Sequence, residues 1–386
     1  MMKILLSITC LLCLNLVSVA QTDSITISGT LKGLNNNKIS VSWTGSDSKN
    51  GYTTVQAKGD DFSARLPLQH LPAVARLSIS WPKGEGLMSQ MPVAPFNFFL
   101  LDKDISLKGD TKALWEIRLE GDLQNELYNG LQQKMAPTER RYRQLINQLS
   151  DQTVKLSPAD SIKLHQEIKA AYSENARMQK AFISANPDAY ASIFLLSRSA
   201  NSYGADEYIA TWNALKPTYK NTNTGLAVAK IVEKLLPTQS GTPVFAFERV
   251  DKDGNIVSTA ALKGRTYILD FWGSWCGPCR ASHPHLKELY KKYRSKGFEI
   301  VAIAQERGKT LEASRSSWSK AIKEDGIDWV HILNQEGIET QNIVKTFNVN
   351  AFPTKILVGA DGKIITRTTS GASDAIDKAL KKIYGF

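Results

Sequence analysis

Cys276 and Cys279, separated only by Gly277 and Pro278 in the stretch YILDFWGSWCGPCRASHPH from Tyr267 to His285, are the residues best equipped for chemistry. Two thiols at this spacing admit three uses: a dithiol that cycles with its disulfide, a metal clip, or a structural staple. The species that attacks a disulfide is a thiolate, and a cysteine at a helix N-terminus has its anion stabilised by free backbone N–H groups and the helix dipole. Cys276 falls at such a place. Cys279, one turn on, is the shielded partner that resolves a mixed disulfide. Gly277 is expected to let the loop turn tightly, and Pro278 suits the first helical turn. Asp270, at the inward end of an otherwise apolar strand, is placed to take a proton from Cys279 during resolution. The alternative for Asp270 is a hydrogen-bonded carboxylate at a strand end.

The metal reading arises because Cys276, Cys279, His283 and His285 spell C-x-x-C-x-x-x-H-x-H. A structural zinc site usually draws its ligands from two separate elements. Here all four come from one loop and one helix start, where residues two apart do not share a face, and Pro284 restricts the backbone between the histidines. We therefore expect no metal and no cofactor, with His283 and His285 as rim residues that tune the thiolate.

Elements that position the pair follow from the pattern around it. From about Gly241 strand and helix alternate: TYILDFW, the cysteine-bearing helix to about Tyr293, FEIVAIA, a helix through Trp318 to Lys323, WVHIL, and a helix from about Thr340 to Phe347. TKILVG, the Asp361-Gly362 turn, KIITRTT and a helix from about Ser373 to Ile383 complete the order. This predicts βαβ units around a central sheet, with an antiparallel hairpin at the Asp-Gly turn. Upstream, Ile25 to about Gly121 alternates apolar and polar residues between turn residues, which predicts antiparallel strands and a small β-sandwich with Phe96, Phe98 and Phe99 in its core. Helical periodicity then runs from Asp122 to about Pro237. Within it Ser157 caps a helix, Pro158 takes its first position and Asp160 sits near its positive end. Ile162, Ile168, Tyr172, Ala176 and Phe182 line one side of that helix, His165 is solvated, and Asn186-Pro187 ends it.

At 386 residues the chain suggests two or three domains. The formal charge of +11 is spread along the chain and interleaved with acidic residues, which argues for solubility and against nucleic-acid binding. The N-terminus reads as a signal peptide: Lys3, an apolar run from Ile4 to Val17, then Ser18-Val19-Ala20 before Gln21. That run is shorter than the about 20 residues a bilayer span needs. Thr9 before Cys10 and Leu12 before Cys13 argue against lipidation. Export would remove Cys10 and Cys13, leaving Cys276 and Cys279 alone. One bridge closing so short a loop restrains the unfolded chain weakly, so a staple is a poor reading. The division is residues 1–20 as signal peptide, 21–121 as the β-sandwich-like domain, 122–236 as the helical linker and 237–386 as the redox domain.

DFWGSWCGPC resembles the active-site strand and loop of thioredoxin, and Gly241 to Phe386 as a whole resembles the TlpA/ResA branch of exported thiol-disulfide oxidoreductases. Pro284 falls where thioredoxins kink their active-site helix, Ala351-Phe352-Pro353-Thr354 is similar to the cis-proline loop, and VDKDGNIVSTAALKG is similar to the extra N-terminal hairpin of the branch. The resemblance implies an α/β thioredoxin-like fold, a cis Pro353 packed against the cysteines, and Phe352 offering its backbone to a substrate strand, with Trp275, Gly277 and Pro278 completing the substrate surface. A β-rich domain, a helical linker and a TlpA-like domain also recur together in exported proteins of Bacteroidetes. Many members of the branch carry a Glu six residues after the first cysteine; this chain has Ser282 there, which leaves proton handling to Asp270.

The expected function is that of a periplasmic protein-disulfide reductase acting on disulfide-bearing exported proteins and recharged by a membrane-bound electron donor, with no transmembrane span in the mature chain. An oxidase or isomerase is the first alternative. A surface binding or assembly protein with an accessory redox domain is the second. A peroxidase reading lacks a Thr-x-x-Cys arrangement.

Overall fold

The computed structural model describes residues 24–67, 71–80, 96–151, 153, 156–369 and 374–386. The signal-peptide reading of residues 1–20, with Cys10 and Cys13, and the expected helix start at Ser373 lie outside the described residues.

The first strands are β1 (Ser24–Lys32), β2 (Lys38–Thr44), β3 (Asn50–Gln56), β4 (Asp61–Pro67), β5 (Ala73–Ser80), β6 (Phe96–Leu100), β7 (Ile105–Asp110) and β8 (Arg118–Glu120). They form two four-stranded sheets, ordered β4-β1-β7-β8 and β3-β2-β5-β6. Alternation puts Ile25, Ile27 and Leu107 of one sheet against Ile39, Val41, Leu77 and Phe98 of the other, the arrangement of a sandwich core. One pairing departs from the antiparallel expectation. β1 and β7 run parallel. Phe96 and Phe98 lie inside this core, whereas Phe99 points the other way and packs on Tyr128, Tyr190 and Phe194 of the helical region.

Five helices follow: α1 (Leu123–Ser150), α2 (Pro158–Ala185), α3 (Tyr190–Arg198), α4 (Ala205–Ala214) and α5 (Asn223–Leu235). Ser157 caps α2 by accepting the Asp160 N–H, and Asn186 is its C-cap. The buried side of α2 is rotated from the expected one. Leu164, Ala171 and Asn175 are buried, while Tyr172 is 37% exposed, its hydroxyl bonded to Ser202.

The last third contains β9 (Glu248–Val250), β10 (Ile256–Ser258), β11 (Thr266–Trp272), α6 (Gly277–Tyr293), β12 (Phe298–Ala304), α7 (Leu311–Asp325), β13 (Val330–Leu333), α8 (Ile343–Thr346), β14 (Thr354–Val358), β15 (Ile364–Thr369) and α9 (Ala375–Tyr384). The main sheet has the order β13-β12-β11-β14-β15, with β11 parallel to β12 and antiparallel to β14. Every residue of β11 and β12 is buried, as a strand covered on both faces requires. Tyr267, Phe271, Trp272 and Phe298 are almost wholly removed from water, each contributing about 1.5–3 kcal/mol. Such a core holds the end of β11 rigid beneath the cysteine loop. Arg367 of β15, also buried, donates to Thr238 Oγ1 and to the carbonyls of Phe347 and Asn348. It thereby ties the end of the helical region to the segment just before Pro353.

Candidate active site

Cys276 is the N-cap of α6, and its Sγ accepts the backbone N–H of Cys279 at 3.3 Å. That bond places the sulfur at the positive end of the helix, the position argued from sequence. The two cysteines are joined as a disulfide. Both cysteines are buried, Cys276 at 4% exposed slightly less so than Cys279 at 1%. Pro278 lies in the first turn of α6, where its missing N–H costs nothing.

Gly277 corrects an expectation. A Cβ there would meet nothing within 4 Å, and its φ is not left-handed, so no tight turn demands glycine. Its bare Cα leaves open space beside Cys276. The glycine the loop requires is Gly273, whose Cβ would come 2.6 Å from the Trp275 indole nitrogen and 2.7 Å from the Gln305 carbonyl oxygen.

The loop between β11 and α6 is fixed from below by the segment after β12. Glu306, 5% exposed, accepts the Ser274 N–H at 2.7 Å and the Ser274 hydroxyl, and Trp275 Nε1 donates to the Gln305 carbonyl at 2.8 Å. Arg307 stacks on the Trp275 ring at 3.3 Å from its centroid, and Phe352 meets the same ring edge-on at 5.6 Å. The Phe352–Pro353 bond is cis. Because Thr354 pairs with Phe271, Pro353 comes beside the end of β11 that leads into the cysteine loop. Phe352 and Trp275 pack on the same buried cluster as Cys276 and Cys279.

Asp270 is 1% exposed, and neither carboxylate oxygen has a hydrogen-bond partner among the described residues. Its ion-pair partner among the described residues is Lys355, directly opposite on β14, with Nζ 3.3 Å from Oδ1. Lys355 Nζ also donates to Ser282 Oγ at 3.1 Å, and Ser282 donates to the Cys279 carbonyl at 2.7 Å. A continuous polar path therefore runs from Asp270 to the helix turn that carries Cys279. Ser282, where the branch often has Glu, is a link in that path. Sequence reasoning missed Lys355, although a signal existed: it is the lone charge in TKILV, as Asp270 is in TYILDFW.

The histidines are not the rim pair expected. His283 is 1% exposed, wedged edge-on against Trp272 and Trp329, and its Nδ1 lies 2.7 Å from Asp325 Oδ2. It sits one turn beyond Cys279 on the buried stripe that continues to Leu286, which is why it faces inward. Burial pushes its pKa down, outweighing the attraction of Asp270 and Asp325. Nδ1–H then donates to Asp325. Burial alone would raise the Asp325 carboxyl, yet its hydrogen bonds to Arg280 and His283 hold it below the usual range. His285 points elsewhere, its Nε2 2.8 Å from Asp377 Oδ1 on α9.

A cysteine pair at a strand-to-helix junction, a cis-proline loop beside it and a five-stranded mixed sheet behind it define a thioredoxin-fold redox enzyme. The chain belongs to the ResA family of thiol-disulfide oxidoreductases. It is 31% identical over 153 residues to thiol-disulfide oxidoreductase ResA of Bacillus thuringiensis, covering 38% of this chain and 79% of that one. With ResA of Bacillus subtilis the identity is 27% over 137 residues, 36% of this chain and 70% of the relative. The Redoxin family model matches residues 238–382. Among solved structures, the thioredoxin domain of a thiol-disulfide oxidoreductase from Bacteroides vulgatus aligns at 29% identity over 37% of this chain and 96% of its own, with a TM-score of 0.33.

Proposed function

We propose that the protein is an exported, periplasmic protein-disulfide reductase in which Cys276 is the attacking thiolate, Cys279 the resolving thiol and Asp270 the acceptor of its proton. The observation that carries this reading is the Cys279 N–H aimed at Cys276 Sγ at the mouth of α6. In the reduced enzyme the Cys276 thiolate attacks one sulfur of a client disulfide, a mixed disulfide forms, and the released client thiolate takes a proton. Cys279 then gives its proton to Asp270, and its thiolate attacks Cys276 Sγ. The second client thiol leaves and the Cys276–Cys279 disulfide remains. Two electrons have passed to the client, and an external donor, membrane-bound in this reading, must return them. Trp275, Gly277, Pro278 and Phe352 form the substrate surface, with Pro353 shaping it. No helix among the described residues is long and apolar enough to cross a membrane.

Reduction of insulin, together with the Cys276/Cys279 potential measured against glutathione, tests the direction. A potential near the about −270 mV of thioredoxin supports a reductase, and one near the about −120 mV of DsbA overturns it in favour of an oxidase. Turnover that is the same in wild type and Cys276→Ser would remove the enzymatic reading altogether.

A further inference from the structure

On the outer face of the sheet β3-β2-β5-β6, Phe99 of β6 and Val74 of β5 pack into the helical core, while Arg76 and Ser78 further along β5 are exposed. Beside them the cover parts. A cavity of about 570 Å³, within the size range of small-ligand sites, opens between β2, β5 and β6 on one side and α3 and α5 on the other. Its lining mixes apolar side chains, among them Trp43, Val74 and Phe194, with amides, hydroxyls and two guanidiniums. Ser42, Arg76 and Asn97 stand in one row across three strands, because Ser42 pairs with Arg76 and Arg76 with Asn97. Arg198 enters from the helical wall, its guanidinium laid over the Phe194 ring at 5.7 Å, and Asn223 reaches across from α5 to bond the Gly45 carbonyl. Among the described residues the lining contains no carboxylate, and no ion pair engages Arg76 or Arg198.

We propose that this cavity binds a small oxyanion-bearing ligand: a carboxylate, phosphate or sulfate group held between Arg76 and Arg198, with its neighbouring hydroxyls met by Asn97, Asn223 and Ser42. Arg76 and Arg198 are both solvent-exposed and face the cavity from opposite walls, and an oxyanion offers the fork-shaped acceptor that each guanidinium matches. Stacking on Phe194 limits the freedom Arg198 must lose on binding. None of these residues takes part in the cysteine chemistry, so the inference stands or falls apart from the redox reading.

Calorimetric titration of the full-length protein with sulfate, inorganic phosphate, glucuronate, acetate and glucose tests it. Saturable binding of at least one oxyanion at one site per chain is expected. Arg76→Gln and Arg198→Gln should each weaken it by about tenfold, Arg76→Lys should weaken it less, and insulin reduction should be unchanged in all three. Tighter binding of glucuronate than of acetate assigns the site to an acidic sugar, and preference for phosphate or sulfate assigns it to the free ion or its esters. Absence of saturable oxyanion binding at millimolar concentration overturns the proposal. So does binding by Arg76→Gln/Arg198→Gln, shown folded by its circular dichroism, that equals the wild type.

Discussion

Two regions of this molecule bury polar side chains, and they treat them differently. Where α1 meets the sandwich, every such group is satisfied. Asn125, 1% exposed, accepts the Phe99 N–H and donates to the Phe99 carbonyl, both at 2.8 Å, pairing with β6 as a neighbouring strand would. One turn on, Asn129 does the same for the backbone of Leu119 and Ile117, and Asp122 caps the helix while accepting from Asn125. Beneath the cysteines Glu306 is satisfied in the same way, but other buried groups are not. Both oxygens of Asp270, Nε2 of His283 and both ring nitrogens of His331 lack hydrogen-bond partners among the described residues. Completed buried bonds rigidify and specify a join, whereas an uncompleted buried group costs stability.

The comparison predicts that chemistry and stability respond to different residues. The largest effect belongs to Cys276→Ser, which should lower insulin reduction by at least about a thousandfold if Cys276 is the attacking group as proposed, since removing one member of a unit that acts together removes its whole contribution. Asn125→Ala should leave turnover per folded molecule unchanged and cost about 3 kcal/mol in urea unfolding, because it strands two buried backbone groups of Phe99 at about 1–3 kcal/mol each. If Asn125→Ala were neutral, the amide would be decoration and the contrast would lose one side.

Asp270 and Lys355 must be tested together, because removing one leaves the other buried without its partner. The double variant Asp270→Leu/Lys355→Met should be as stable as wild type or more so, by up to about 4 kcal/mol in urea unfolding, as found when apolar residues replace buried ion pairs. Its resolving step should slow by about a hundredfold, the usual worth of a positioned proton acceptor. Stopped-flow release of a client thiol from the mixed disulfide measures that step. A double variant that is destabilised yet turns over normally would make the pair structural and remove Asp270 from the mechanism.

How much of this was legible depended on whether the signal was local. Cys276 at a strand-to-helix boundary is a local pattern, as is the alternation that produced the sheets, and both were readable from residue order. Capping of α2 by Ser157 was equally local. The parallel pairing of β1 with β7 was not, because alternation gives the buried face of a strand and says nothing of its neighbour's direction. Lys355 was missed for a related reason: its role exists only because β14 lies against β11. His283 faces inward because it stands on the helical stripe Cys279, His283, Leu286, a pattern overlaid in the sequence by its metal-like spacing from the cysteines. The expected helix from Thr340 shortened to α8, since Asn334 and Asn342 spend their side chains on the backbone N–H groups of Ile343 and Lys345. No sequence feature marked Glu306 as the anchor of the cysteine loop.

The smallest effect tests the unsatisfied side of the comparison through pH. His331 is wholly buried, and burial pushes its pKa from 6.5 down to about 3, although the Ile327 carbonyl lies near enough to favour the charged form. That carbonyl is outside hydrogen-bonding geometry. Between those two pH values the unfolded chain carries a proton on this imidazole that the folded chain does not, so stability must fall as the pH drops through the window, by about 1.4 kcal/mol per unit. His283, pushed the same way, adds to the slope. From pH 7 to pH 5 the urea midpoint of the wild type should therefore drop by the equivalent of about 2 kcal/mol from His331 alone. His331→Phe, which keeps an aromatic ring against Trp329, should remove that part of the slope and leave the part due to His283. A wild-type midpoint that does not change over this range would mean that both imidazoles find a partner when protonated, and the contrast between satisfied and unsatisfied regions would fail at the point where it is sharpest.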